Sequence, residues 1–397
     1  MSHLQFDQAW LERAGALWTA REIAQQPRTL VGTQAILVSR AAELAAFLSP
    51  LLARRDMRVI LTGAGSSAFI GECLAPILVQ HLNRRVEAIA TTDLLSGPLQ
   101  YLQPDVPTLL VSFGRSGGSP ESVAVVELAD RIVKECHQLV ITCNGDGALY
   151  QYCRGRARAL AILLPPETHD HSFAMTSSFS AMLMAAWLAF CGESSVTRIA
   201  ESVQGVLERH NEVLRTLAGE PFSRVVYLGS NAFKGLAREC ALKLLEMTDG
   251  AVAAISDTPL GVRHGPKTFI TADTLVFVML SSDPRTRRYD LDLLNELRTD
   301  ARAGRVIAIT GSAPAASDGS ARASDVAASG SPASDSLASG ESLQVDGASD
   351  AALCFPYLAC GQLYALHRSL ILGNTPDQPS RSGTVSRVVR GVTIHPY

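Results

Sequence analysis

The sequence predicts an α/β protein with two tandem domains, each a mainly parallel sheet flanked by helices. Short apolar runs alternate with longer segments of helical periodicity, which is typical of βαβ units. This alternation of strands and helices occurs in both halves of the chain. Each half has a predicted strand that leads through glycine into a helix, at Leu61-Thr62-Gly63 and at Leu228-Gly229-Ser230. With 397 residues, 47% of them hydrophobic, the chain can bury two ordinary cores.

The elements of the first half follow from their periodicity. Residues 1–50 predict a helical extension, because Trp10, Leu11, Leu44 and Leu48 recur at helical spacing. Residues 51–215 form the first predicted domain. Its strands are predicted at 58–62, 86–90, 108–112, 138–143 and 159–164, and its helices at 66–81, 92–102, 120–135, 176–191 and 195–217.

The second predicted domain covers residues 216–372. Its strands are predicted at 224–229, 251–255, 274–280 and 305–309, and its helices at 232–247, 287–303 and up to 372. Residues 311 to about 350 are dominated by Ala, Ser, Gly and Asp and contain no aromatic residue, which predicts a disordered insertion without a catalytic role. Residues 373–397, rich in Pro, Arg and Ser, are expected to run as an extended tail.

Composition excludes several classes of function. The net charge of −3 and the pI near 6.3 disfavour binding to nucleic acid or to an anionic membrane, so any anion site must be local. The eight scattered cysteines form no C-x-x-C pair and no zinc spacing, which predicts reduced thiols, a cytoplasmic location and no metal site. We expect no signal peptide, and the apolar run 181–191 is too short to cross a bilayer.

Two glycine and hydroxyl loops follow predicted strands and open helices. One is Gly114-Arg115-Ser116-Gly117-Gly118-Ser119, and the other is Gly63-Ala64-Gly65-Ser66-Ser67. Unpaired backbone N–H groups and the helix dipole at such a turn favour an anion, so both loops are candidate phosphate cradles. The second loop also nearly matches a dinucleotide fingerprint, and a tight turn without a ligand remains an alternative.

A third hydroxyl cluster, residues 169–179, lies at a predicted helix start. Thr176 and Ser177 either line a ligand site or only cap the helix. The two histidines, His169 and His171, have no further ligand at suitable spacing, so a metal site is not expected.

The second half carries a candidate acid–base group. Lys243 and Glu246 lie one turn apart on a predicted helix, where a solvated pair is the simplest interpretation. The loop 258–267 then presents His264 beside Arg263 and Lys267, although a lone loop histidine is usually a surface residue.

These motifs together resemble a known family. Ala241-Leu242-Lys243-Leu244-Leu245-Glu246 followed by His264-Gly265-Pro266 is similar to the isomerase domain of glucosamine-6-phosphate synthase. The two glycine and hydroxyl loops resemble the sugar isomerase (SIS) family, which implies two tandem SIS domains with the flavodoxin-like three-layer αβα fold. The segments 373–376 and 387–396 resemble the AgaS-type branch of galactosamine-6-phosphate deaminases and tagatose-6-phosphate ketose/aldose isomerases.

The resemblance implies roles for particular residues. Glu246 would be the proton-transfer base, His264 the ring-opening residue, and Lys243 a neighbour that orients the hydroxyls or the base. The phosphate would be held by Ser66, Ser67, Ser116 and Ser119, with a contact from Arg115 plausible but not inherited. Thr176 and Ser177 would line the sugar, and Arg390 would occupy the place of the synthase's tail lysine. The tail 373–397 would cover the active site, and no cofactor is implied. In this family the histidine can come from a neighbouring subunit, which implies a homodimer or a larger homo-oligomer.

The implied chemistry is ring opening, transfer of the C2 proton to C1, and hydrolysis of the resulting imine. The N-terminal 50 residues are too few for a glutaminase domain, so we expect deamination of galactosamine 6-phosphate to tagatose 6-phosphate without a metal. Alternatives are a simple aldose/ketose isomerase, a glucosamine-6-phosphate deaminase, a sugar-phosphate sensor and, more distantly, an NAD dehydrogenase.

Overall fold

The computed structural model describes residues 2–192, 195–311, 342–389 and 391–397. A small hairpin of β1 (Ser2–His3) and β2 (Phe6–Asp7) precedes a helical extension. The extension consists of helices α1 (Gln8–Arg13), α2 (Leu17–Ala24), α3 (Gln26–Ser39) and α4 (Ala41–Ala53). The predicted N-terminal extension is therefore helical, and Leu11, Leu44 and Leu48 are buried as its periodicity requires.

The first domain is built on a five-stranded parallel sheet in the order β4-β3-β5-β6-β7. Its strands are β3 (Arg58–Thr62), β4 (Val86–Ala88), β5 (Thr108–Gly114), β6 (Cys136–Thr142) and β7 (Ala159–Leu163). Its helices are α5 (Ser66–Leu82), α6 (Thr91–Ser96), α7 (Pro98–Tyr101), α8 (Pro120–Ile132), α9 (Ala148–Cys153), α10 (Ser177–Cys191), α11 (Val196–Arg209) and α12 (Asn211–Gly219). The central strands are buried on both faces, which explains their continuous apolar runs.

The second domain has a parallel sheet in the order β12-β11-β10-β8-β9. Its strands are β8 (Arg224–Gly229), β9 (Ala253–Asp257), β10 (Thr274–Met279), β11 (Arg305–Gly311) and β12 (Ser342–Val345). Its helices are α13 (Ala232–Met247), α14 (Pro284–Asp300) and α15 (Asp350–Ile371), and short 3₁₀ turns span Gly261–His264 and Pro266–Phe269. The predicted class, two tandem parallel α/β domains, is thus confirmed.

Several local predictions differ from the structure. The predicted helix 92–102 is two helices, because Gly97-Pro98 separates α6 from α7. The predicted helix 195–217 divides at His210. Residues 312–341 of the predicted insertion lie outside the described residues. Its last part is ordered, however: β12 pairs in parallel with β11, from Ala308 opposite Ser342 to Gly311 opposite Val345.

The two domains share one continuous core. It joins the inner faces of both sheets, for example Val111 of β5 and Phe277 of β10, through the helices packed between them. Helices α5 and α13 approach closely at Gly235, where an added Cβ would lie 2.7 Å from the backbone nitrogen of Cys73. This packing brings the N-terminus of α5 beside the side chains of α13.

Among the described residues, no single helix has the length and apolar character needed to cross a membrane. By length and composition alone, the bent pair α3 and α4, which meet at 73°, would meet that criterion together.

Candidate functional site

The candidate site lies where the carboxyl ends of β3 and β5 face helix α13 of the second domain. Parallel strands leave their carboxyl ends at one edge of a sheet, and ligands of open α/β sheets bind at that edge. The loops after β3 and β5 are therefore neighbours, as Thr62 opposite Ser112 in the sheet register shows.

The loop after β3 is a tight turn that needs its glycines. An added Cβ on Gly63 would lie 2.5 Å from the backbone of Ser67, and Gly65 has a φ of 56°. Helix α5 then starts at Ser66, and both Ser66 and Ser67 are buried. The Ser67 hydroxyl lies 3.9 Å from the sulfur of Met175, so it faces the third hydroxyl cluster.

The loop after β5 comprises residues 114–119 and is the candidate phosphate cradle of the sequence, hence the name phosphate loop. Gly117 has a φ of 59°, and the N–H of Gly118 donates to Ser116 Oγ at 3.3 Å. Ser119 Oγ donates to Ser122 Oγ at 2.7 Å, so it does not cap helix α8. Pro120 has no N–H, and the N–H groups of Ser122 and Val123 donate to the carbonyl oxygen of Ser119. Among the first residues of α8, the N–H of Glu121 is therefore the one without a described acceptor, and the anion site stays a prediction.

Arg115 joins this loop to the 172–173 turn and to the tail. Its guanidinium donates to the carbonyl oxygens of Ser172 at 3.2 Å and Phe173 at 3.0 Å, and to that of Arg387 at 2.8 Å. The residue is only 6% exposed. A phosphate contact by Arg115 stays a prediction.

The third hydroxyl cluster is organised by Asp170, a residue that the sequence analysis did not single out. Its buried carboxylate accepts hydrogen bonds from the N–H of Thr176 at 2.8 Å, from the N–H and hydroxyl of Ser178 at 2.9 and 2.6 Å, and from the hydroxyl of Ser177. The hydroxyl of Ser177 is thus occupied by a hydrogen bond within the protein. The buried Thr176 Oγ1 has no hydrogen-bond partner among the described residues, so it is the member of the pair that is free for a ligand.

Glu22 of helix α2 holds the same segment from the other side. Its carboxyl accepts from the backbone N–H groups of His171 and Ser172 and contacts the Ser172 hydroxyl. Burial raises the pKa of Glu22 to about 8, and the negative charge of Asp170 adds to that rise. Sequence offered no signal for this contact, which joins residues 150 positions apart.

Helix α13 carries a row of three charged side chains. Lys243 is fully buried, its ammonium contacts the carboxylate of Glu246, and Glu239 Oε1 lies 3.6 Å away on the other side. Burial lowers the pKa of Lys243, but the two carboxylates outweigh it and the net pKa is raised. Burial raises the pKa of Glu239 to about 7 against the opposing effect of Lys243.

Glu246 differs from Glu239 in its access to solvent. Its side chain is 23% exposed, whereas Glu239 is fully buried. A cavity of about 260 Å³ lies beside Glu246 and is also lined by Phe173 and by the tail residues Pro379 and Val385. The α13 row therefore presents one accessible carboxylate backed by a buried cation and a second carboxyl group. Glu239 was missed by the sequence analysis, although its i, i+4 spacing from Lys243 was visible.

His264 is exposed at the end of the 3₁₀ turn Gly261–His264, and no hydrogen bond or ion pair of its side chain is described. Its cationic neighbours are paired, since Arg263 and Lys267 both contact Glu296. The structure thus places Ser66 close to Glu239 of the α13 row and Ser67 against Met175, which precedes Thr176. No described contact ties His264 to this row, and Arg390 lies outside the described residues.

Within the described ranges, no group of three His, Cys, Asp or Glu side chains has the arrangement of a metal site. The absence of metal and cofactor from the reaction stays a prediction.

Comparison with known proteins gives concordant matches. Residues 51–191 match the SIS domain family. The chain is 46% identical to the D-galactosamine-6-phosphate deaminase AgaS of Escherichia coli, over 97% of each protein, and 41% identical to that of Shewanella sp. (strain ANA-3), over 100% of this chain and 96% of the relative. The crystal structure of tagatose-6-phosphate ketose/aldose isomerase from Escherichia coli superposes with a TM-score of 0.84 at 43% identity, covering 96% of each chain.

Proposed function

The chain belongs to the AgaS branch of the SIS domain family, and from this premise we propose that it converts galactosamine 6-phosphate and water into tagatose 6-phosphate and ammonia. It is an enzyme that acts on a small sugar phosphate, like the relatives whose names describe a deaminase and an isomerase. The identity extends over 97% of the chain and therefore includes both domains and the tail.

The observation that carries the proposal is the α13 row. A general base must be accessible to substrate and close to groups that tune its proton affinity. Glu246 meets both conditions, because it borders a cavity and contacts the buried ammonium of Lys243. We infer that Glu246 takes the C2 proton and returns it at C1.

The reaction can be written in balanced steps. The ring opens to an aldehyde at C1, the base removes the C2 proton to give an enolamine, and protonation at C1 gives an imine at C2. Water then adds to the imine carbon and ammonia leaves, so that the product is a 2-ketose phosphate. Lys243 stabilises the negative charge on Glu246 before proton transfer, and Glu239, with a pKa of about 7, can hold a proton beside the same ammonium.

The phosphate anchor completes the geometry. We infer that the hydroxyls of Ser66, Ser67, Ser116 and Ser119 hold the phosphate at C6. The N–H groups of Ser66 and Glu121, which have no described acceptor, would add to this anchor at the starts of α5 and α8. Thr176, with its unpartnered hydroxyl, would contact the sugar, whereas Ser177 would act mainly through its bond to Asp170. Arg390 remains the proposed cation of the tail.

We propose that His264 acts in this scheme from a second subunit. Because the side chain of His264 is exposed and no described contact joins it to α13 of its own chain, we infer that it opens the ring in the site of a partner, and hence that the enzyme is a homodimer or a larger homo-oligomer. Mixing His264→Ala protein with Glu246→Gln protein tests the inference: shared sites restore part of the activity in mixed oligomers, and self-contained sites restore none.

We also propose that the enzyme works in the cytoplasm and acts as a hydrolase toward the C–N bond. The location is supported by the eight free cysteines, seven of which are buried in their thiol form. Burial raises the pKa of most of these thiols, Cys143 to about 12 for example, so they are not reactive groups.

The experiment that tests the function is a product assay with purified protein. Galactosamine 6-phosphate is expected to yield ammonia and tagatose 6-phosphate in equal amounts, and glucosamine 6-phosphate serves as the epimer control. Failure to release ammonia from either amino sugar would refute the deaminase proposal.

One specific observation favours a second candidate, a simple aldose/ketose isomerase. The crystal structure at 43% identity carries that name, and a substrate with a 2-hydroxyl group would pass through the same proton transfer. Interconversion of galactose 6-phosphate and tagatose 6-phosphate, with no ammonia from the amino sugars, would select it.

A further inference from the structure

Two arginines meet between the phosphate loop and the tail. The tail is the segment 373–397. Arg115 belongs to the phosphate loop, and its Nη2 donates to the carbonyl oxygen of Arg387 at 2.8 Å. The two residues are 272 positions apart in the chain. This bond is therefore a direct link between the proposed phosphate anchor and the segment that borders Glu246.

Both guanidinium groups also donate hydrogen bonds to the backbone of one short turn, residues 170–173. Arg115 Nη1 donates to the carbonyl oxygens of Ser172 and Phe173. Arg387 Nε donates to those of Asp170 at 3.0 Å and Ser172 at 3.2 Å, and its Nη2 also donates to Asp170 O. The Ser172 carbonyl oxygen thus accepts from both arginines.

The two positively charged guanidinium groups therefore lie close together, and their repulsion must be offset by nearby negative charge. Arg115 is 6% exposed and Arg387 is half-buried. Burial and the charge of Arg115 lower the pKa of Arg387, and Glu22 and Asp170 oppose this effect. In the described part of the chain, the hydrogen bonds of each guanidinium go to backbone carbonyl oxygens, an arrangement that positions backbone rather than a ligand.

The tail also lies beside the α13 row and the cavity that borders Glu246. The N–H of Phe173 donates to the carbonyl oxygen of Asp377 at 3.1 Å, and Arg381 N–H donates to Asp249 Oδ2 at 3.4 Å. The tail residues Ser380 and Val385, together with Phe173, line the cavity beside Glu246. A shift of the 170–173 turn or of Arg387 would therefore change the cavity in which the base works.

We propose that Arg115 and Arg387 form a brace through which phosphate seated on the loop fixes the tail over Glu246, so that both arginines are positioning residues and neither is a phosphate ligand. The catalytic consequence rests on the proposed function, whereas the link between phosphate and tail does not. Binding at the phosphate loop would order Arg115, and Arg115 would in turn order Arg387 and the turn.

The test uses Arg115→Met, Arg387→Met and the double variant, with Arg154→Met as the matched control. Arg154 is an exposed arginine of the same domain whose described bond is to Gln151. The first readout is amide hydrogen exchange of peptides from residues 379–389, with and without inorganic phosphate. Wild-type and control proteins are expected to show slower exchange when phosphate is added. Both brace variants are expected to exchange faster and to lose the response to phosphate.

The second readout separates positioning from ligand contact. A misplaced tail lowers kcat, here by about tenfold to hundredfold, while KM and inhibition by inorganic phosphate change by no more than roughly threefold. Because the two arginines act as a unit, the double variant should lose no more than the worse single variant. Arg115→Lys, which keeps a donor, should recover part of kcat.

Three results would overturn the proposal. One is a tail whose exchange is unchanged in both brace variants. Another is a tail that responds equally to phosphate with and without Arg115. The third is a variant that keeps kcat while KM and the phosphate inhibition constant rise about tenfold or more, since that pattern identifies a direct phosphate ligand. If the wild-type enzyme shows no turnover, the proposed function fails, and the exchange experiment still decides the brace.

Discussion

Replacing Glu22 with glutamine should make the protein more stable in alkali and leave it nearly unchanged in acid. The carboxyl of Glu22 is buried beside Asp170, and burial together with that negative charge raises its pKa from 4.5 to about 8. The folded protein therefore binds this proton more tightly than the unfolded chain does. The stability that the proton supplies is complete below pH 4.5 and is lost as the pH rises toward 8.

The hydrogen bonds explain why glutamine should be tolerated. Ser172 Oγ lies 3.1 Å from the carbonyl oxygen of Ala174 and can donate to it. Protonated Glu22 can then donate to Ser172 Oγ through Oε2, while Oε1 accepts from the N–H groups of His171 and Ser172. A glutamine amide reproduces this pattern, with its NH₂ group in place of the acid O–H.

The magnitude follows from the pKa difference. At about 1.36 kcal/mol for each pH unit, a pKa moved from 4.5 to about 8 amounts to about 5 kcal/mol of unfolding free energy between the two limits. With an unfolding entropy of about 2.1 cal/mol/K per residue, this corresponds to a Tm difference of about 6 °C for a chain of 397 residues.

The assay is thermal unfolding of wild-type and Glu22→Gln proteins from pH 5 to pH 9. The Tm difference in favour of the variant should grow with pH and level off above 8. The matched control, Glu12→Gln, changes a carboxylate on the exposed surface of α1 and should give a Tm difference without that slope. A Tm difference that is independent of pH, or a variant that is less stable throughout, would refute the reasoning.

Three further substitutions test the packing around the site. Lys243→Met should cost about 3 to 5 kcal/mol in denaturant unfolding, because it leaves two carboxyl groups facing each other without their cation; a loss below about 1 kcal/mol would contradict the buried pair. Asp377→Ala removes the acceptor of three hydrogen bonds from α2 and should lower stability by about 1 to 3 kcal/mol, with Asp377→Asn intermediate. Gly235→Ala should cost about 1 to 3 kcal/mol by pushing α13 from α5, whereas Gly219→Ala, which has open space, should not; equal stability of the two variants would argue against the close approach.

The fold could be predicted from the sequence because the strands are strongly patterned. The runs 58–62 and 274–279 each have a continuous apolar stretch, 59–61 and 275–279, as parallel strands covered on both faces require, and both are fully buried strands in the structure. Element ends were less predictable. The break at Gly97-Pro98 carries a clear local signal, whereas the break at His210 carries none in helix propensity.

The edge strand β12 was missed for a physical reason. Its four residues, Ser342–Val345, have two apolar side chains on a short edge, which is too little for a pattern of period two to stand out beside a polar segment. Only pairing with β11, a tertiary contact, makes it a strand.

The candidate site was predictable where it depends on local sequence. The serine loops and the Lys243–Glu246 spacing could be read from adjacent residues, and in the structure the two loops follow neighbouring strands of the first sheet. Glu22 and Arg387 could not be identified in this way, because their partners lie about 150 and more than 200 positions away in the chain. Such contacts depend on the packing of the extension and the tail against the first domain.

The most direct test of the proposed reaction follows galactosamine 6-phosphate by NMR in deuterated water. We predict that wild-type protein releases one ammonia for each tagatose 6-phosphate formed, with solvent deuterium at C1 of the ketose to the extent that the Glu246 carboxyl exchanges its proton with solvent. Glu246→Gln should retain substrate binding and lose turnover by about 10² to 10⁴-fold. Ammonia release at an undiminished rate from Glu246→Gln, or no ammonia from the wild-type protein, would contradict the account.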